Sequence, residues 1–423
     1  MKKYDEYKDS GVAWIGEVPK HWEILRGKYV LKILSGFPFD SQKFEFEDNG
    51  VYMPLIRIRD INGSSTEVYY SGSYPIESVV KTGEVLIGMD GDFNISKWKG
   101  TNALLNQRVC KLREDSSMNT HYAFYMLSSP LKAINSVTYA TTVKHLSVYD
   151  IYNAFIPVPP ISEQAAISTY LDTHCAKIDN LISIQQKRIA LLQELKQSVI
   201  THAVTKGLNP NVEMKQSGVE WIGDVPKHWE VMPLKFTGTF GNGLTYSPKD
   251  VVDNGILVLR SSNIQNSSLS FEDNVYVSKV SRDLLVNKGD IIICSRNGSA
   301  ALVGKSAFVD KELNATFGAF MMRYIPNIEK KYGFYLFQTA IGQYKGYFST
   351  TTINQLTKTT IDEIKVPLAM AEEQAAIASY LDHKCATIDT SISNAQHQID
   401  LLQEYKQSLI TEVVTGKRKV TDN

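Results

Sequence analysis

The sequence predicts a mixed α/β protein built twice: two globular domains, each leading into a long helix, with the helices paired antiparallel as an intramolecular coiled coil about a pseudo-two-fold axis. Three observations carry this expectation. Ser10–Glu23, SGVAWIGEVPKHWE, recurs as Ser217–Glu230, SGVEWIGDVPKHWE, with 12 of 14 positions identical. Glu163–Thr205 aligns without gaps on Glu373–Thr415, with 27 of 43 positions identical. Between these near-copies the halves diverge over about 140 residues each. Likeness there survives only in fragments, such as TGEVLIGMDG from Thr82 against KGDIIICSRNG from Lys288, and TTVKHL from Thr141 against TTINQL from Thr351.

The expected boundaries are 1–160 for the first globular domain, 161–206 for the first long helix, 207–370 for the second domain, and 371–423 for the second helix with its tail. A chain of 423 residues suits such a division, because single cores rarely grow past about 250–300 residues. Hydrophobic residues at 43% and charged residues at 21% exclude wholesale disorder. The N-terminus lacks the apolar stretch of a secretory signal, and no run is long enough to cross a bilayer. Cys110, Cys175, Cys294 and Cys385 show no CxxC spacing and suit buried thiols in a reducing cytoplasm. Lys and Arg number 45 against 45 Asp and Glu. Neutrality limits non-specific grip on nucleic acid, so a nucleic-acid reader of this composition is expected to lean on a basic partner.

The entry phrase holds Trp14, Trp22, Trp221 and Trp229 between Gly and Pro residues, which favours a turning loop that clamps the domain to its helix. A catalytic role for His21 or His228 is disfavoured, since no carboxylate falls at a regular spacing nearby. The middles alternate short β-rich runs (VYMPLIRI, GEVLIGM, QRVCKL; GDIIICS, AFMMRY) with Gly and Asn turns. Each then closes with a helical stretch, THYAFYMLSSPLKAIN or KKYGFYLFQTAIGQYKGY. In the repeated helix, Ile178, Leu192 and Val199 keep heptad steps with Gln185, and Ile182 and Ile189 fall four residues after Ile178 and Gln185. Ile388, Leu402 and Leu409 do the same with Ala395, alongside Ile392 and Ile399. This is the spacing of a coiled-coil seam. Pro159 and Pro367 lie just before the helices, and Gly207 and Gly416 mark their ends. The nearest complement for each seam is its own copy. The intervening domain makes the pairing antiparallel.

Catalytic signatures fail on inspection. GSAALVGKS from Gly298 has one residue too many for a phosphate-binding loop, and its flanks read as strands. No acid-Pro-Pro-aromatic run of an amino-methyltransferase occurs, and His174-Cys175 and His383-x-Cys385 fall out of register as metal ligands. Recognition remains. Candidate base-reading or phosphate-binding side chains in the first middle are Arg57, Arg59, Lys97, Lys99, Gln107, Arg108, Thr141, Thr142, Lys144 and His145. In the second they are Arg260, Ser261, Asn263, Arg296, Asn297, Thr351, Thr352, Asn354 and Gln355. Arg suits guanine, and Asn or Gln suits adenine, through bidentate hydrogen bonds.

The openings WIGEVPKHWE and WIGDVPKHWE, the runs VPPISEQAAI and VPLAMAEEQAAI, and the helix ends LLQELKQSVITHAVTKG and LLQEYKQSLITEVVTGK resemble the specificity subunits of bacterial type I restriction-modification systems over essentially the whole chain. The resemblance implies two target recognition domains, each reading half of a split double-stranded DNA site, with the helices setting the unread gap. It implies no active site and no cofactor in this chain. Two methyltransferase subunits using S-adenosylmethionine and two restriction (motor-nuclease) subunits using ATP and Mg are the implied partners. Alternatives are a recognition subunit for a fused methyltransferase-nuclease, or a coiled-coil adaptor with no DNA ligand. If the helices set the gap, seven residues inserted between Ile178 and Val199 should lengthen the unread gap or abolish modification. Sequencing of methylated bases should find the letters of each half unchanged.

Overall fold

The repeated phrase forms the turn and second strand of a two-stranded hairpin in both halves. Tyr7–Asp9 pairs antiparallel with Glu17–Pro19, and Met214–Gln216 with Asp224–Pro226, in the same register. The structure, a computed structural model, describes residues 2–138, 144–344 and 354–420. Among them are six α-helices: α1 (Thr120–Val137), α2 (Val148–Asn153), α3 (Ile161–Lys206), α4 (Lys330–Tyr344), α5 (Lys358–Glu363) and α6 (Ala371–Val414). No helix among the described residues is long and apolar enough to cross a membrane.

The chain divides into two compact units, Met1–Gln185 with His397–Asn423, and Gln186–Gln396. These cut across the linear boundaries, because α3 and α6 each contribute residues to both units. In the first unit an antiparallel sheet runs in the order Ile95–Lys97, Val85–Gly88, Val109–Arg113, Lys32–Ser35. In the second the same order is built from Ser306–Phe308, Ile291–Cys294, Met321–Pro326 and Gly238–Asn242. A second sheet in each unit contains one parallel pair, Met53–Ile56 with Ala103–Leu105 and Ile256–Leu259 with Ala315–Phe317. Central strands such as Val85–Gly88 and Ile291–Cys294 are buried throughout, which explains their continuous apolar runs. The GSAALVGKS segment lies between the antiparallel strands Ile291–Cys294 and Ser306–Phe308, as a hairpin connection. All four cysteines are free and buried, and burial pushes the Cys110 thiol up to about 12.

The long helices run antiparallel in each unit. In the first, Ile178 of α3 shares a core with Leu409, Ile410 and Val413 of α6, with Ile182 and Leu402 packed on it, and Lys406 Nζ bonds Asp179 at 2.7 Å. In the second, Ile200, Ala203 and Val204 of α3 meet Ile377, Leu381 and Cys385 of α6, with Val199 packed against them, and Lys196 Nζ bonds Asp389 at 2.7 Å. The exposed ion pairs are worth little; the apolar seam dominates. Ile388 and Ile399 are buried, and Ile189, Leu192 and Ile392 are half-buried, whereas Lys187, Arg188, Glu194 and Glu404 are exposed, so the heptad marks the covered face.

At each head one tryptophan receives both long helices. Trp22 is wholly buried, and its Nε1 donates to Glu163 Oε2 in the first turn of α3 at 2.9 Å. Gly416, beyond the end of α6 and in the left-handed region (φ 71°), sits so close that an added Cβ would lie 3.3 Å from that indole and 2.2 Å from Pro19. Trp229 repeats this with Glu373 of α6 at 2.7 Å and Gly207 beyond the end of α3. Glycine is required at these exits both for φ and for the close approach. Trp14 and Trp221 are only half-buried, so the clamp rests on one indole per head. Glu23–Arg26 then pairs with Phe155–Val158, and Glu230–Pro233 with Lys365–Leu368, so the strand after the entry hairpin and the last strand before the long helix lie side by side in each head.

Trp22→Phe, which removes the indole donor to a charged acceptor, is expected to cost about 1.5–3 kcal/mol in urea denaturation. Adding Glu163→Gln to it should cost less than Glu163→Gln does alone. Additive costs would show that the indole and the carboxylate do not act as one unit.

Candidate nucleic-acid interface

In the first unit, three segments are tied by backbone hydrogen bonds at the ends of the two central strands, Val85–Gly88 and Val109–Arg113. Met89 N–H donates to Arg108 O at 3.0 Å, Leu146 N–H to Met89 O at 2.7 Å, and Gly91 N–H to Lys144 O at 2.9 Å. Asp90 and His145 form an antiparallel bridge. Their side chains meet as well, with His145 Nδ1 and Asp90 Oδ1 at 2.6 Å, and Arg108 Nε lies 3.6 Å from the other carboxylate oxygen. Lys144 Nζ instead donates to Asn135 O at 2.6 Å, bracing the end of α1.

The second unit builds the same junction. Ser295 N–H donates to Phe320 O at 3.0 Å and Leu356 N–H to Ser295 O at 2.8 Å, while Arg296 and Asn297 pair with Gln355 and Asn354. The side chains differ. Arg296 Nη2 donates to Gln355 Oε1 at 2.7 Å, and its guanidinium lies 5.7 Å from the centre of the Phe320 ring. Asn297 Nδ2 donates to Ser261 Oγ at 3.1 Å, which draws Ser261 into the same group.

The structure thus brings together Arg108, Lys144 and His145 in one unit, and Ser261, Arg296, Asn297 and Gln355 in the other. Gln107, beside Arg108, is exposed. Thr141, Thr142, Thr351 and Thr352 lie outside the described residues, as does the side chain of Asn354. The remaining candidates separate from this group by their partners. Arg57 is held by Asp60 and Glu67 at 3.2 and 3.0 Å, and Arg260 by Asp273 at 2.7 Å. Arg59 and Lys99 are exposed.

Two candidates are corrected by their surroundings. Asn263 is fully buried; its Oδ1 accepts from Arg260 N–H and its Nδ2 donates to the Ser270 and Asp273 carbonyls, so it staples a loop and offers no face to a base. Lys97 donates to Asp172 of α3 at 2.6 Å, and Tyr125 donates to the same carboxylate oxygen at 2.6 Å. It is a tie between head and helix. In the second unit Tyr335 takes Asp382 as Tyr125 takes Asp172, and the cation is Lys331 of α4, which aligns with His121 of α1.

Asp90 and Phe320 were not singled out from sequence, although aligning TGEVLIGMDG with KGDIIICSRNG sets Asp90 opposite Arg296, an inverted charge just past an apolar strand match. The partner of each histidine was also missed. His21 Nε2 lies 2.7 Å from Glu163 and His228 Nε2 3.0 Å from Glu373, carboxylates that sequence spacing placed far away. Both carboxylates also accept from the clamp tryptophans and sit in the first turn of a long helix, which makes the pairs part of the clamp. No group of three or more His, Cys, Asp or Glu placed to hold a metal occurs among the described residues.

A duplicated scaffold that presents two unlike polar surfaces on matching backbone defines a two-headed recognition protein. The sequence profile described as the type I restriction modification DNA specificity domain matches residues 19–194 and again 226–399, and the chain belongs to that family. It is similar to the type I restriction enzyme EcoBI specificity subunit of Escherichia coli, at 27% identity over 94% of this chain and 86% of the relative. It is also similar to the MjaVIII specificity subunit of Methanocaldococcus jannaschii, at 26% identity over 95% and 94%. A solved chain from work on assembly and conformational transition of the type I R-M system shares the fold, with a TM-score of 0.69 and 17% identity over 94% of this chain and 98% of that one.

Burial raises the pKa of Asp172, but hydrogen bonds from Lys97 and Tyr125 and the Lys97 charge outweigh it, leaving the carboxyl below its ordinary value. Its stabilising contribution is therefore present above the unfolded value of about 3.9 and is lost as pH falls through the lower folded value. Asp172→Asn should lower the urea midpoint at neutral pH and lose less of it than the natural protein between about pH 5 and pH 2. Equal acid losses in both would remove Asp172 from the linkage.

Proposed function

We propose that this chain is the non-catalytic specificity subunit of a type I restriction-modification complex, with each head reading one half of a split duplex sequence in the major groove. The observation that carries this reading is the doubled junction: one backbone arrangement, inside two matched specificity domains, carries Asp90, Arg108 and His145 in one head and Arg296, Phe320 and Gln355 in the other. Equal scaffolds suit the repeating backbone of the duplex, and unlike side chains suit an asymmetric target.

The chemistry then belongs to partners, in the cytoplasm. Two methyltransferase subunits bound to this chain would use S-adenosylmethionine to methylate an adenine in each half-site, and two motor-nuclease subunits would use ATP and Mg. The chain's balance of 45 basic and 45 acidic residues fits this division, because phosphate neutralisation supplies most non-specific affinity and would come from the methyltransferase. DNA affinity measured against salt should accordingly be weak and shallow for the chain alone and steep for its complex with the methyltransferase. Strong, steeply salt-dependent binding by the chain alone would overturn that division.

The deciding experiment sequences methylated bases in cells that express this chain with its methyltransferase, and in cells lacking it. A split adenine-methylation motif should be present in the first and absent from the second. An unchanged methylation pattern would refute the reading.

A further inference from the structure

The junction supplies its own control. The hydrogen bonds that build it run between backbone groups of Met89, Arg108 and Leu146 in one head and of Ser295, Phe320 and Leu356 in the other, with matching lengths. The scaffold therefore places three side-chain positions without depending on what occupies them: Asp90 and Arg296 at the first, Arg108 and Phe320 at the second, His145 and Gln355 at the third. At the first position the charge is inverted, and at the second a cation is exchanged for a phenyl ring that remains 60% exposed. Unlike side chains thus stand on matching backbone hydrogen bonds.

We propose that these three positions determine the half-site specificity of each head, and that Arg296 reads a guanine in the half-site of the second. The proposal rests on the DNA-recognition reading above and deepens it. Gln355 takes one terminal nitrogen of Arg296, and Phe320 lies against the guanidinium. The remaining guanidinium donors carry no hydrogen bond among the described residues. A guanidinium bonded to an amide at one terminal nitrogen and within cation–π range of a ring has less rotamer freedom left to lose on binding, and its fork is of the kind that matches guanine O6 and N7. The exposed Phe320 ring has an apolar edge suited to a neighbouring thymine methyl.

The first head has the opposite polarity. Asp90 is an acceptor shared by His145 and Arg108, so its carboxylate fits an exocyclic amino group of cytosine or adenine, a base that Arg296 would reject. An ordinary surface ion pair would explain Asp90 and His145 taken alone. It does not explain why the same backbone positions hold a cation near an aromatic face, an amide and an exposed ring in the second head.

The test uses the complex of the full chain with its methyltransferase, and duplex libraries randomised in one half-site at a time. Arg296→Ala and Arg296→Lys should each lower discrimination at one guanine of one half-site by about 5- to 150-fold, leaving the other half-site unchanged. Arg296→Lys keeps the charge, so its overall DNA affinity should stay close to that of the natural protein. Replacing the three side chains together (Arg296→Asp, Phe320→Arg, Gln355→His) should change the letters preferred in that half alone. Unaltered preferences at full methylation rate in the Arg296→Ala and Arg296→Lys complexes would overturn the proposal, whether or not the triple variant assembles. Should the natural complex methylate no split motif at all, the functional reading fails instead.

Discussion

Each head depends on one indole that meets two helices. The Trp22 Nε1 reaches the Glu163 carboxylate in the first turn of α3, while its ring covers the glycine exit of α6; Trp229, Glu373 and Gly207 repeat the arrangement with the helices exchanged. A carboxylate there also sits favourably at a helix N-terminus, so one residue satisfies the helix and the clamp together. The repeated phrase is thus the same solution to the same problem. Antiparallel helices bring one beginning and one end to every head, and a single residue type can grip both.

With anchoring assigned to the clamp, the side chains at the ends of the central strands are released from that duty. Its junction is secured by main-chain hydrogen bonds, which are indifferent to side-chain identity, and this is why charge inversion between Asp90 and Arg296 leaves the geometry intact. By contrast Asp172 and Asp382, which tie the short helices α1 and α4 to the long ones, are identical in the two halves and carry Tyr125 and Tyr335 in the same manner. At these carboxylate–tyrosine ties the halves agree.

The helices, their seam and the clamp phrase were legible because each has a local signature: a heptad, a proline before and a glycine after, a repeated indole. The structure places α3 at Ile161–Lys206 and α6 at Ala371–Val414, each ending just before the glycine. The partners of His21 and Lys97 were not, since Glu163 is 142 residues from the first and Asp172 is 75 from the second, and no periodicity spans such loops. Asn263 misled for a related reason: a polar residue in a turn can serve water, a ligand or its own backbone, and only burial distinguishes them. The compact units could not be read as linear segments, because a long helix belongs to whichever core covers it.

The pairing of Glu23–Arg26 with Phe155–Val158, and of Glu230–Pro233 with Lys365–Leu368, brings the beginning and the end of each head together at the root of its helix. Everything between those strands is a closed excursion that leaves and returns at one place. Such a head is a cassette. A different reader inserted between the entry phrase and the helix start would find the paired border strands and the clamp tryptophan already in place.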